Sequence, residues 1–216
     1  LSLVGSEMCI RDRSSTMSKA NRSYFYPSVS LSGVISDMVP KLGGQMPEWF
    51  TFAKVRASYA EVGNDLDPYQ LYNNFTVGKD ENGNTTAAPG NVLYDSSVRS
   101  ELIKSWEAGF DIRFFNNRLG LDAAWYKTNA TRQLLNLPMD PFSGYSSRKV
   151  NAGNIQNEGV EISLNGLILD NPKGLSWNST AQFSLNRNKI IDLYPGVTLY
   201  DIKTLDAIQI VAVQGS

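Results

Sequence analysis

The sequence predicts an all-β chain, an antiparallel up-and-down meander forming part of a transmembrane β-barrel. Three observations carry this. From Tyr24 onward apolar and polar side chains alternate with a period of two in segment after segment. Several segments sustain the alternation for about ten residues, where soluble sheets commonly run about five or six; that length suits a tilted strand crossing an apolar band roughly 25 Å tall. The connections are short and long in turn, as in a barrel with tight turns on one rim and long loops on the other.

Six segments show the pattern. Residues 25–35 set Phe25, Pro27, Val29, Leu31 and Ile35 against Ser28, Ser30 and Ser32. In residues 52–60, Ala53, Val55, Ala57 and Tyr59 oppose Lys54, Arg56 and Ser58. Residues 104–115 place Trp106, Ala108, Phe110, Ile112 and Phe114 opposite Glu107, Asp111 and Arg113, and residues 118–128 place Leu119, Leu121, Ala123 and Trp125 opposite Arg118, Asp122 and Tyr126. Asn116 and Asn117 join these two, and adjacent asparagines tolerate positive φ, so a tight hairpin is expected. Residues 157–169 set Val160, Ile162 and Leu164 against Glu161, Ser163 and Asn165. After the breaker-rich residues 170–174, residues 175–186 put Leu175, Trp177, Ala181, Phe183 and Leu185 on one side and Ser176, Asn178, Thr180, Gln182, Ser184 and Asn186 on the other. None has the three-and-four spacing of an amphipathic helix.

The connection at residues 36–51 is moderate, 61–103 long, 116–117 minimal, 129–156 long, 170–174 short, and everything beyond Arg187 long again. The short ones are expected in the periplasm and the long ones outside; residues 69–77 could add a strand but are assigned to a long external excursion, because counting them would break that alternation. Mid-strand charges such as Lys54, Arg56, Glu107, Asp111, Arg113 and Glu161 suit a wet lumen. The aromatics near strand ends (Tyr24, Phe25, Tyr26; Trp49, Phe50, Phe52; Phe114, Phe115; Trp125, Tyr126) suit interfacial girdles. Alternation alone does not fix which face is buried, so a soluble β-sandwich remains open.

Composition narrows function. Twenty basic against 21 acidic residues leave a net charge of -1, with no electrostatic footprint for nucleic acid. Histidine is absent and Cys9 stands alone, which excludes His-based triads, disulfides and His or Cys metal sites. No catalytic, cofactor or metal residues are nominated. No apolar run reaches the roughly 18 residues of a spanning helix, so any crossing is made by strands.

Residues 1–23 stand apart as a non-native or disordered leader, ahead of a partial barrel at 24–216. LSLVGSEMCIRDR lacks the parts of a signal peptide and resembles a translated sequencing adapter.

The motifs FYPSVSLSGVIS, FAKVRASYAEVGN, KSWEAGFDIRFFNNRLGLDAAWYKTNATRQLL, NAGNIQNEGVEISL and WNSTAQFSLNRNKI resemble, in order, the barrel of the SusC/RagA family of TonB-dependent outer-membrane receptors. The resemblance runs from about residue 24 to 193. It implies an open fragment of a roughly 22-stranded barrel, with the family's plug domain and closing strands unmatched. It also implies import of a glycan or peptide across the outer membrane of a Gram-negative, Bacteroidetes-like cell. Its partners would be outer-membrane lipid, a SusD-like surface lipoprotein and the TonB system through the plug. The fragment itself would be wall and not an enzyme.

Other features have plainer readings. Glu107 and Asp111 share a face with Arg113, as lumen walls do, though a carboxylate pair is conceivable. GNDLDPY (residues 63–69) could hold calcium but lacks a full ligand set. Asn82-Gly83 and NAGNIQNEG read as turn and strand-entry chemistry. Asn74, Asn84, Asn129 and Asn178 head chance glycosylation sequons. Phe142 and Tyr145 in PFSGY either stack on a sugar or, the commoner use, pack their own loop. The rivals in function are a secreted soluble β-sandwich that binds carbohydrate on a polar face, and a β-rich hydrolase using two convergent carboxyls.

Overall fold

The computed structural model describes residues 3–197, 199–205 and 208–215. In chain order the elements are β1 (Leu3–Arg13), β2 (Ser23–Val34), a short helix α1 (Ile35–Lys41), β3 (Phe50–Asn64), β4 (Phe75–Lys79), β5 (Thr85–Pro89), β6 (Val92–Leu93), β7 (Glu101–Phe114), β8 (Leu119–Pro138), β9 (Ser147–Leu169), β10 (Trp177–Asp192), β11 (Leu199–Leu205) and β12 (Ile208–Val213). The main sheet runs β1-β2-β3-β7-β8-β9-β10, every neighbour antiparallel, with β6 pairing in parallel to β9 off that path. It is an open meander. The pairs β4–β5 and β11–β12 form separate two-stranded sheets.

All six alternating segments are strands of this sheet. Phe115, Asn116 and Asn117 turn from β7 into β8 with φ of 53°, 55° and 65°, the left-handed region that asparagine tolerates best among residues with a Cβ. This turn and residues 170–176 define the lower end of the sheet; the long connections define the upper.

Three expectations need correction. Residues 129–156 are not a loop: β8 continues to Pro138 and β9 begins at Ser147, so this hairpin projects beyond the alternating zone. Its side chains carry no strict period of two because no hydrocarbon–water boundary sorts its faces: connecting segments pack on it, with Leu134 against the Met17, Leu66 and Val98 cluster and Val150 and Ala152 buried, while backbone pairing continues regardless. Within the 61–103 excursion, part of the 69–77 stretch enters the hairpin β4–β5, turned at Gly83 with φ 83°. Within the expected leader the described residues, 3–23, are ordered: β1 pairs with β2 from Leu3↔Gly33 to Arg13↔Ser23, and Met17 is 3% exposed. An open sheet edge offers unpaired N–H and C=O groups to any extended segment, whatever its side chains.

No large side chain among the described residues is fully buried. The one cluster of buried apolar residues among them, Met17, Leu66 and Val98 with Tyr24, Leu71 and Leu134 against it, lies where the 61–103 excursion folds onto the upper sheet.

Candidate functional site

The working parts of this chain are the two faces of its sheet, and cross-strand register assigns them. One face carries the rung Val55, Phe110, Ala123, Ile162 and Phe183, and above it the rung Ala57, Ala108, Trp125, Val160 and Leu185. The other carries Lys54, Asp111, Asp122, Ser163 and Gln182, then Arg56, Gly109, Ala124, Glu161 and Ser184. A soluble sandwich would cover the first face with a second sheet. Here Trp106 is 54% exposed, Trp125 42%, Phe183 58% and Leu185 46%. Among the described residues no second layer takes up that apolar surface, so it suits hydrocarbon, and the charged face suits a wet lumen.

Aromatics mark the limits of the apolar face. At the lower end Trp49 stacks on Phe114 at 5.7 Å, and Phe50 meets Phe114 edge-on at 5.4 Å. At the upper end Tyr59 lies 4.4 Å from Trp106. Two rings expected in these girdles belong to the lumen instead. Phe52 lies under the Arg113 guanidinium at 5.2 Å, and Tyr126 opposes Gly159, where any Cβ would stand 2.5 Å from the tyrosine hydroxyl. Strand-end position does not reveal which side a ring takes; parity does.

The lumen face is organised by Arg56. Its Nη1 and Nη2 donate to the two Asp122 carboxylate oxygens at 2.9 and 3.1 Å, and its Nε lies 3.7 Å from Glu107. Arg56 is on β3 and Asp122 on β8, so the guanidinium must cross β7. It does so over Gly109, where a Cβ would meet Arg56 Nε at 2.9 Å and the Ala123 carbonyl at 2.8 Å. Arg113 donates to Asp111 on its own strand at 3.1 Å. Asp111 and Asp122 are direct cross-strand partners, a repulsive placement that the two guanidinium groups compensate. Glu107 and Asp111 are thereby drawn to different arginines. A cleft of about 630 Å³ is lined by Arg56, Glu107, Asp122, Glu161, Gln182 and Ser184. Sequence spacing revealed the mixed charge of this wall; the Arg56–Asp122 link depends on register, although a glycine at lumen parity in β7 was the available signal.

Above the sheet's alternating zone, side chains fasten loop to strand. Asn151 Nδ2 donates to the carbonyls of Arg99 and Arg132 at 2.7 and 2.9 Å, and its Oδ1 accepts from the Arg99 N–H at 2.7 Å. Arg132 has φ 57° and Gly153, across from it, 80°. Arg148 donates to Asp95 at 2.7 Å, and the Ser97 N–H donates to the same carboxylate at 2.8 Å. The Ser97 hydrogen bonds first, and then the guanidinium, hold Asp95 down at a pKa of about 2.

The remaining candidates separate. In GNDLDPY, Asp67 accepts from Gln70 and a buried Asp65 oxygen has no hydrogen-bond partner. Among the described residues no three potential metal ligands cluster. Phe142 and Tyr145 sit at the tip of the β8–β9 hairpin, Phe142 within a single 3₁₀ turn capped by Asp140 and closed by Gly144 at φ 83°, and Tyr145 just after it. Phe142 is 100% exposed, so it does not pack its own loop. Asn178 and Asn129 fall within strands and Asn84 at the β4–β5 turn.

Comparison with known proteins places this geometry. Residues 10–209 match the model of the family described as TonB dependent receptor-like, beta-barrel. TonB-dependent receptor P3 of Formosa agariphila is 31% identical over 199 residues, covering 88% of this chain and 19% of that protein. TonB-dependent receptor SusC of Bacteroides thetaiotaomicron is 26% identical over 204 residues, covering 86% of this chain and 19% of SusC. A structure titled the RagAB peptide importer in the closed-closed state superposes with a TM-score of 0.84 at 24% identity, over 99% of this chain and 23% of that one. The chain thus spans about a fifth of the length of the curated relatives it matches. It belongs to the TonB-dependent receptor family, of whose β-barrel it is a part.

Proposed function

We propose that this chain is wall of an outer-membrane receptor that takes up a nutrient, a peptide or a glycan, in a Gram-negative, Bacteroidetes-like bacterium. One observation carries the reading: the apolar face, with Trp106, Trp125, Phe183 and Leu185 uncovered, opposes a face laced by Arg56, Asp122 and Glu107. A wall of this kind separates hydrocarbon from a hydrated passage. It makes and breaks no bonds, so we read it as a conduit and not as a catalyst. Likeness to SusC and to the RagAB peptide importer supports a SusD-like lipoprotein at the external mouth, with energy arriving from the TonB system through a plug. Phe142 at the hairpin tip is then placed to meet that partner or the arriving ligand, with Tyr145 beside it.

We further propose that the residues ahead of the family match, 1–9 of the adapter-like stretch 1–13, are foreign to the receptor. On the face where β2 carries Ser28 and Ser32, β1 sets the apolar Met8 and Val4, the reverse of the wall's pattern.

The function is tested by deleting the full-length gene from its own bacterium and following uptake of labelled peptide mixtures and labelled oligosaccharides. Loss of one class, restored by the intact gene, names the cargo. Unchanged uptake and growth on both classes would overturn the reading.

A further inference from the structure

Directly above the apolar rungs, the lipid-side face becomes basic. The rung over Trp125 and Leu185 reads Tyr59, Trp106, Lys127, Glu158 and Arg187, and the next reads Glu61, Lys104, Asn129, Gln156 and Lys189. Glu61 is engaged by Lys104 at 3.4 Å and by the Tyr59 hydroxyl. On β8 to β10, three cations, Lys127, Arg187 and Lys189, therefore surround the single carboxylate of Glu158. That carboxylate accepts from Gln156 at 3.1 Å, and none of the three cations makes an ion pair among the described residues. Arg187 and Lys189 are exposed.

Height decides what meets them. From Leu119 at the lower end of β8 to Lys127 is eight residue steps, about 27 Å along a strand rising ~3.4 Å per residue. A tilt of roughly 40° reduces that to about 21 Å of membrane depth, close to the roughly 25 Å height of the apolar band. The cations thus stand at the band's upper edge, at headgroup level and beside the Trp106 and Trp125 rings. Ammonium and guanidinium groups on long stems at that depth reach for anionic headgroups.

We propose that Lys127, Arg187 and Lys189 form a docking site on the barrel exterior for phosphate-bearing lipid of the outer leaflet. Lys127 and Arg187 flank one rung and Lys189 lies on the same face of β10 two residues above Arg187, an arrangement that lets one phosphate contact more than one cation. The inference rests on the reading above, in which the long connections lie outside.

The test uses the full-length receptor in nanodiscs of phosphatidylcholine doped with lipid A, or with lipid A stripped of phosphate, and measures retained lipid by mass spectrometry. Wild type should enrich the phosphorylated form. Lys127→Gln, Arg187→Gln and Lys189→Gln together should lower that enrichment on the order of a hundredfold, near fivefold per cation. Lumen-facing Lys54→Gln should leave it unchanged, and Arg187→Lys should keep most of it, which separates charge loss from misfolding. Equal retention by wild type and the triple variant, or of the two lipids, would overturn the site. A Phe142→Cys receptor on intact cells that lack the surface lipoprotein proposed to cap it reports independently on the parent reading. If an impermeant thiol reagent labels it and lipid enrichment fails, only the docking site falls. If the reagent cannot reach it, the orientation and the outer-leaflet site fall together.

Discussion

Strand β8 is two strands in one, and the contrast explains most of the molecule. From Leu119 to Trp125 apolar Leu119, Leu121, Ala123 and Trp125 on one face alternate with small or polar Gly120, Asp122 and Ala124 on the other. From Lys127 to Pro138 the alternation is gone, although pairing with β9 continues up to Pro138↔Ser147. The lower half lies between two solvents, hydrocarbon outside and water inside, so each face selects its own residues. The upper half lies beyond the hydrocarbon, covered in part by connecting segments, and is held by particular contacts: Leu134 against the Met17 cluster, Asn151 to the Arg99 and Arg132 backbones, Glu101 accepting from the Leu134 N–H at 2.9 Å, and Arg148 with Asp95. One half is stabilised by its surroundings and the other by its neighbours.

The largest effect that could break this comparison is a charge placed on the wrong face. Ala123 and Ala124 are consecutive, similar in exposure class, and opposite in facing. Ala123→Arg in the full-length receptor should cost about 2–4 kcal/mol of folding free energy in bilayers, because arginine at mid-depth on the lipid side is poorly solvated. Ala124→Arg, on the wet side near Glu161, should change it by less than about 1 kcal/mol. Urea unfolding from lipid vesicles measures both. Equal penalties would mean the two faces share one solvent and would remove the basis of the barrel reading.

Next in size is Gly109→Ala. The added methyl would meet a guanidinium, which can move, and the Ala123 carbonyl at 2.8 Å, which cannot without displacing β8. A loss of about 1–3 kcal/mol is expected, as for overpacking generally. Asp122→Asn removes the same guanidinium's bidentate partner without crowding the backbone. Both side chains are about a third or more exposed, so this change should cost only about 0.5–1 kcal/mol. If the aspartate change proves the more damaging, the ion pair and not the close strand approach is what Gly109 protects.

How much of this was legible follows from the same division. Strands between unlike solvents were read correctly because Leu175 to Asn186 and Trp106 to Phe114 record their surroundings residue by residue. The β8–β9 extension reads as loop in the sequence because no boundary between unlike solvents sorts its two faces, so residues such as Asn136 or Lys149 carry no period. The Asn116-Asn117 turn was visible because its conformation demands particular residues. The Arg56–Asp122 link was not, because its partners are 66 positions apart and only register brings them together. Phe52 and Tyr126 were assigned to girdles from their place near strand ends, when the parity of their neighbours Lys54 and Asp122 was the better guide.

A smaller and more local effect is expected at Asn151. Its side chain makes three hydrogen bonds to backbone groups of a loop and of β8. Asn151→Ala should weaken the upper region by about 1–3 kcal/mol, since the freed backbone groups regain only water. Hydrogen exchange should quicken in residues 92–100 and 130–136 while residues 119–126 stay protected. Equal loss of protection in both stretches would show one cooperative unit where the comparison describes two.

The gentlest perturbation is acid. The Ser97 hydrogen bonds and the Arg148 guanidinium depress Asp95 to about 2 in the folded chain, against roughly 3.9 in an unfolded one. A depressed carboxyl contributes its stabilisation in full above the unfolded value and loses it as pH falls toward the folded value. Fastening of the upper loop to β9 should therefore hold down to about pH 4 and slacken between about 4 and 2, which pepsin cleavage within residues 92–98 can follow in that window. Asp95→Asn should show the slackened cleavage rate already at about pH 4, where the unmodified loop is still fastened, and flatten the profile below it. The lower sheet, whose apolar face owes its stability to hydrocarbon and not to this carboxylate, should give the same cleavage pattern across the range. A transition that appeared in both regions at once would tie them together through the acid groups of the lumen wall rather than through Asp95.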